Sequence, residues 1–184
     1  MKTSYEMLTF CVKNKFMSGI GKSEAQNHFS IIAKNLLENE DVKFTFIGLH
    51  NYISLSQHDY AHAYAVTESR ILVARKKIMG ENFYSYSKSQ LNDISASTKM
   101  LSGIIIFNTV GRAFNVYTNK DTASKILTGV RNVIFNNQQQ SASAQPPAQP
   151  PAQYIDLREL KSLLDDGIIT QDDYDAKKHQ LLGV

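Results

Sequence analysis

Arg70, Arg75, Lys76 and Lys77 form a basic cluster, with Arg75-Lys76-Lys77 consecutive in the sequence. Cations so closely spaced can meet phosphate, from lipid headgroups or nucleic acid. The commoner reason for such a run is protection of an edge strand, where lysines deter pairing with a foreign sheet, and that reading weighs more. Tyr84 and Tyr86 add the option of a basic-aromatic surface, although aromatics at a spacing of two more often fill a core. His58 and His62 stand at the His-x3-His spacing with His50 nearby, and on a helix they would share a metal-binding face. Their surroundings read instead as a turn over Gln57–Tyr60 and a strand from His62, with no cysteine beside them, so no metal site is expected. Cys11 has no adjacent base or glycine-rich turn to activate its thiol, and it reads as a small buried apolar residue. Ser69 lacks a Gly-x-Ser-x-Gly setting. Gly19-Ile20-Gly21-Lys22-Ser23 has the end of a phosphate loop without its leading glycine or the strand before it. No motif supplies a nucleophile, a base and an oxyanion site together, so neither an enzyme nor a cofactor is expected.

The chain that carries these residues has 184 positions, 42% of them apolar and 20% charged, with a net charge of +3. That suffices for one ordinary domain with a small appendage. A single cysteine excludes an internal disulfide framework and any Cys-based zinc cluster. No apolar run approaches the length of about eighteen that a membrane helix needs. Glu6, Lys13 and Lys15 interrupt the stretch around Met7–Val12, so no secretory signal is expected, and a cytoplasmic protein is.

All four prolines lie between Pro146 and Pro151, inside a stretch, Asn136–Gln153, otherwise made of Asn, Gln, Ser and Ala. So little apolar surface does not offset the entropy of ordering, and residues 137–153 are expected to be a disordered linker spanning roughly 20–25 Å on average. Residues 1–135 hold 16 Lys and Arg against 10 Asp and Glu, whereas residues 154–184 hold 4 against 7. A mildly basic body is thus tethered to an acidic tail.

Within the body, Phe29, Ile32, Ala33, Leu36 and Leu37 recur at helical spacing, predicting a helix from about Ser23, its N-cap, to Glu38. Residues 5–17 predict another from Tyr5, Leu8, Val12 and Phe16, although Thr9–Val12 would also suit a strand. From Lys43 the period becomes two. Strands are predicted from Lys43, over Ala61–Thr67, Arg70–Lys76, Asn82–Ser87, Ile94–Thr98, Gly103–Thr109 and Arg112–Tyr117, with short turns that make the sheet antiparallel. A closing helix, capped by Asn119 or Asp121, bears the apolar stripe Ala123, Ile126, Leu127, Val130, Val133 and Ile134. The fold class is therefore α+β: a small antiparallel barrel or sandwich plugged by one helix and preceded by helical residues 1–37.

Ala65-Val66-Thr67-Glu68-Ser69-Arg70-Ile71-Leu72-Val73, Gly80, Leu91-Asn92-Asp93-Ile94, Gly103-Ile104-Ile105-Ile106 and the closing helix together resemble a bacterial PH-like domain of the YokE-like type. The resemblance spans about residues 38–136. It implies a PH-like barrel and no catalytic residues, in a family of Gram-positive bacteria and their prophages. The tryptophan usual in the closing helix of eukaryotic PH domains is missing, so their phosphoinositide role is not carried over.

After the linker, Leu157, Leu160, Leu163 and Leu164 make one helical face, and Asp165-Asp166-Gly167 ends it. Thr170 and Asp173 fit a capping box, while Ile169 and Tyr174 fit a hydrophobic staple. Residues 154–184 resemble a SHOCT (short C-terminal) domain, which implies oligomerisation through Leu157, Leu160, Leu163, Leu164, Ile168, Ile169, Tyr174, Leu181 and Leu182. Two helices of about three turns bury too little surface to stand alone, so a second copy or a partner is required. A homo-oligomer is the better expectation.

The combined expectation is a non-catalytic binding or adaptor protein. The barrel recognises a protein or peptide of unknown identity and the hairpin multiplies it, in a regulatory or host-interaction role of a bacterium or prophage. Anionic-membrane binding through the basic cluster, or nucleic-acid binding by the basic body, stands second.

Overall fold

The computed structural model describes residues 1–98 and 102–135. Three helices and seven strands follow one another: α1 Ser4–Asn14, α2 Lys22–Lys34, β1 Phe44–His50, β2 Ala61–Val66, β3 Arg70–Lys76, β4 Glu81–Ser87, β5 Leu91–Thr98, β6 Ser102–Thr109, β7 Phe114–Asn119 and α3 Lys120–Phe135. The linker and the C-terminal hairpin, with the leucines, isoleucines and tyrosine assigned to oligomerisation, lie outside the described residues.

The predicted 5–17 helix forms only as far as Asn14. Lys15 turns left-handed at φ 60, so Phe16 and Met17 lie beyond it. The buried face is Met7 and Cys11, while Tyr5 and Val12 are exposed. Thr3 caps α1 with its side chain and Glu6 returns the bond to the Thr3 backbone, which decides the segment against the strand alternative. Helix α2 starts earlier than predicted. Gly21, not Ser23, is its N-cap, and it ends at Asn35 rather than Glu38. The strands form one antiparallel sheet in the order β4-β3-β2-β1-β7-β6-β5. This corrects the edge-protection reading of the basic run, because β3 is paired on both sides, with β2 and with β4.

Alternation sorts the sheet into two faces. Phe44, Phe46, Tyr64, Val66, Ile71 and Val73 turn inward to the larger core, where α3 inserts Ala123, Ile126, Val130 and Ile134. Ile47, Ala61, Ala63, Ala65, Leu72 and Ala74 turn outward against Met7 and Cys11 of α1 and Ala25, Phe29 and Ile32 of α2. Small alanines on this outer face let the helices approach closely. On the inner side Gly129 faces the Phe44 ring, where an added Cβ would collide with the Cε2 atom.

Topology carries three connections to one end of the barrel. The β1–β2 loop (51–60), the β3–β4 turn (77–80) and the β6–β7 turn (110–113) all leave from it, because β1 pairs antiparallel with β2 and β7, and β3 with β2 and β4. Helix α3 packs its apolar face against Phe44 and Val66 at the other end.

Candidate functional site: the loop end of the barrel

The basic cluster does not stay together. Arg70 opens β3, far along the strand from Arg75 and Lys76, and it is held internally. Its Nε donates to Glu40 Oε1 at 2.7 Å, its Nη2 donates to Glu40 Oε2, and Nη2 also donates to the Asn35 carbonyl at 2.9 Å. The Thr67 hydroxyl donates to Glu40 Oε1 at 2.9 Å and the Leu37 N–H to Oε2 at 3.1 Å. Chiefly through Arg70, the Glu40 carboxyl is held down from its ordinary 4.5 to about 2. Arg70 and Ser69 thus belong to a structural clamp between the α2–β1 connection and the β2–β3 hairpin.

Arg75, Lys76 and Lys77 do reach the loop end. The Arg75 guanidinium stacks over the Tyr60 ring at 4.1 Å, and Lys76 lies 3.8 Å from Glu81. The Lys77 N–H closes the β3–β4 turn on the Gly80 carbonyl, with Gly80 at φ +80. That leaves Ile78 and Met79 at the tip, both almost wholly exposed. Ile53 and Leu55 of the β1–β2 loop and Val110 of the β6–β7 turn are exposed beside the same end. Most of the exposed large apolar side chains of the described residues therefore stand on three neighbouring loops. Arg112 shares the β6–β7 turn, braced by bonds between Thr109 Oγ1 and its backbone.

The histidines sit just inside. His62 pairs with His50, not with His58: the His50 and His62 rings are 4.7 Å apart, whereas His58 stacks on Tyr52 in the loop. His50 Nδ1 meets the Tyr64 hydroxyl at 2.7 Å. Burial first, and His50 second, push His62 down to about 3, and burial lowers His50 as well. Both rings are neutral at pH 7. Among the described residues no group of three His, Cys, Asp or Glu gathers in metal-binding geometry. Cys11 is buried, its sulfur 3.1 Å from Thr45 Oγ1, and burial pushes the thiol up to about 12. Gly21 caps α2 and follows a helix, so the Gly19–Ser23 segment lacks the strand a phosphate loop requires.

Between β4 and the β6–β7 turn runs a hollow of about 490 Å³, lined by His50, Tyr84, Tyr86, Gln90, Arg112 and Phe114. Tyr86 stacks on Phe114 at 4.7 Å and closes its floor, while Tyr84 keeps a face open. Sequence reading missed Ile53, Leu55 and Val110 altogether. Their signal was present: apolar side chains inside polar loops with no periodic partner.

Residues 36–132 match the family model described as bacterial PH domain, and residues 156–182 match the one described as SHOCT, short C-terminal domain. Among solved structures, the Vps36 N-terminal PH domain is similar at 17% identity and a TM-score of 0.42, covering 58% of this chain and 86% of that chain. The N-terminal PH domain of human ARAP2 is similar at 11% identity and a TM-score of 0.37, covering 59% of this chain and 92% of that one. No curated protein matches.

Proposed function

The chain belongs to the bacterial PH domain family and carries a SHOCT segment, and we propose that it is a non-catalytic adaptor docking a protein partner at its loop end. One observation carries the reading: Ile53, Leu55, Ile78, Met79 and Val110 are exposed together and framed by Arg75, Lys77 and Arg112. Apolar side chains with Met, Tyr and Arg among cations have the composition of an interface centre. Fully burying one such side chain contributes roughly 1.5–3 kcal/mol. A contact using two or three of them is weak but specific. Joining copies through the hairpin residues Leu157, Leu160, Leu163, Leu164, Ile168, Ile169, Tyr174, Leu181 and Leu182 raises it by effective concentration.

An anionic membrane is the second reading, favoured by the almost wholly exposed Ile78 and Met79 directly following Lys77. Its electrostatic part is small. Lys76 is partnered by Glu81 and Arg75 is stacked on Tyr60. Among the described residues Lys77 and Arg112 remain, each contributing about 1 kcal/mol near such a surface.

Capture from bacterial lysate on tagged full-length protein, alongside sedimentation with phosphatidylglycerol vesicles, decides between them. The adaptor reading expects a defined protein that is lost from Ile78→Asp/Met79→Asp and retained in high salt. Recovery on vesicles alone, fading with salt and lost from Arg75→Glu/Lys76→Glu/Lys77→Glu, makes the end a lipid site. A protein captured equally by both variants places docking elsewhere.

A further inference from the structure

The sheet does not close on itself. Its order leaves β4 and β5 as edges, and the two are treated differently. Strand β5 is blunted: its register shifts between Leu91 and Asp93, and Arg131 of α3 donates to the Ile94 carbonyl at 2.9 Å and to Asp93 at 3.2 Å. Strand β4 has no such device. Glu81–Ser87 pairs with β3 in unbroken register and contains neither proline nor lysine.

The hydrogen bonds fix which groups of β4 are open. Lys77 N–H donates to Gly80 at one end of the β3–β4 ladder, and Lys88 N–H donates to Ser69 at the other. Alternation between them makes Asn82, Tyr84 and Tyr86 the residues bonded to β3. The N–H and C=O of Glu81, Phe83, Ser85 and Ser87 therefore point away from the sheet. The Ser87 N–H is satisfied by the Gln90 side chain at 2.8 Å. Among the described residues Glu81, Phe83 and Ser85 remain, three residues at a spacing of two with Phe83 at the centre.

Such an array is its own complement. We infer that β4 pairs antiparallel with β4 of a second copy of this chain, about a two-fold axis through Phe83. In that register Phe83 exchanges both bonds with the partner's Phe83, and Glu81 exchanges both with the partner's Ser85. Like charges never oppose each other. The two Phe83 rings meet on the outer face, and Asn82 faces the partner's Tyr84 on the inner face. The two loop ends then point in opposite directions, so a pair of copies bridges two docked partners. The pairing stands apart from the loop-end reading and from the C-terminal hairpin, and each fails separately.

Asn82 and the partner's Tyr84 form a non-hydrogen-bonded pair, whose Cα atoms in such ladders lie about 4.5 Å apart, inside disulfide range. Full-length Asn82→Cys and Tyr84→Cys are prepared separately, with buried Cys11 retained. Mixed in a glutathione redox buffer, they are expected to form disulfide dimers at least about tenfold faster than either alone. Ser85→Pro added to both abolishes the difference. Because the Ser85 N–H points outward, proline there leaves the β3–β4 ladder intact, which circular dichroism verifies. Cross-linking no faster in the mixture, or unaffected by Ser85→Pro, overturns the pairing. Sedimentation of full-length Leu160→Ser/Leu163→Ser/Leu164→Ser reports the hairpin independently. If only that variant changes the mass while the cysteine mixture fails, hairpin assembly stands and the β4 pairing does not.

Discussion

Replacing Glu40 by Gln tests the clamp that holds Arg70 apart from the cations of the loop end. The carboxyl lies almost wholly buried, and its oxygens take bonds from Arg70, Thr67 and the Leu37 N–H. Gln keeps the shape and deletes the charge, leaving the Arg70 guanidinium without its counter-ion. The carboxyl lies at about 2 in the native protein and at its ordinary 4.5 in the unfolded chain. That difference corresponds to about 3 kcal/mol of stability at pH 7. The sign follows from proton uptake. Between pH 4.5 and 2 the unfolded chain binds the extra proton, so the contribution is complete above 4.5 and is lost as pH falls through about 2. Urea unfolding followed by circular dichroism at pH 7, 5, 4 and 3 gives wild-type and variant free energies. The gap is expected to be about 3 kcal/mol at pH 7 and to narrow steadily below pH 4.5. Acid effects from the histidines are common to both proteins and cancel. A gap below about 1 kcal/mol at pH 7, or one that acid does not narrow, refutes the clamp.

Three further outcomes follow from the same structure. His62 is held neutral to about 3, so the unfolded chain takes up its proton first as pH falls below the ordinary 6.5; stability should decline from pH 6.5 downward, and the His62 ring resonances should stay those of neutral imidazole at pH 5. Cys11, with its thiol pushed up to about 12, should resist a thiol-specific chromogenic disulfide in the folded protein and react at once in denaturant. Gly129→Ala drives a methyl into the Phe44 ring and should lower stability by about 1–3 kcal/mol in thermal unfolding. An unchanged melting temperature there would mean that α3 shifts freely against β1.

What could be read in advance follows a physical division. Period-two runs such as Ala61–Val66 and Arg70–Lys76 declare their strands because alternation is a local property of the backbone. Strand β5 begins at Leu91, earlier than its pattern suggests, because the shift between Leu91 and Asp93 interrupts the alternation. The N-cap of α2 was misplaced because a serine signals a cap more strongly than the glycine two positions before it. Strand order is a tertiary property. Nothing near Arg75–Lys77 reveals that β3 is interior, so edge protection was a reasonable but mistaken account of that run. Likewise the Arg70–Glu40 bond joins residues thirty positions apart, and only the folded chain separates a clamp arginine from the three cations that reach the loop end. The family resemblances, by contrast, were legible through turn and cap residues, and both regions match the expected models.

Gly48 has a consequence for how the molecule assembles. The two halves of the sheet, β1–β4 and β5–β7, are each meanders whose contacts are close in sequence. They join where Leu49 and His50 register with Tyr117 and Val116, partners more than sixty positions away. At that joint Gly48 crosses so near Val116 that a Cβ would lie 2.5 Å from its side chain. Loop closure makes this junction the slowest contact to gain. The halves are therefore expected to form early and the β1–β7 seam late, an order that the folding and unfolding rates of Gly48→Ala would test. Any residue larger than glycine at position 48 would act on that last step, raising the rate of unfolding far more than it slows the early hairpins.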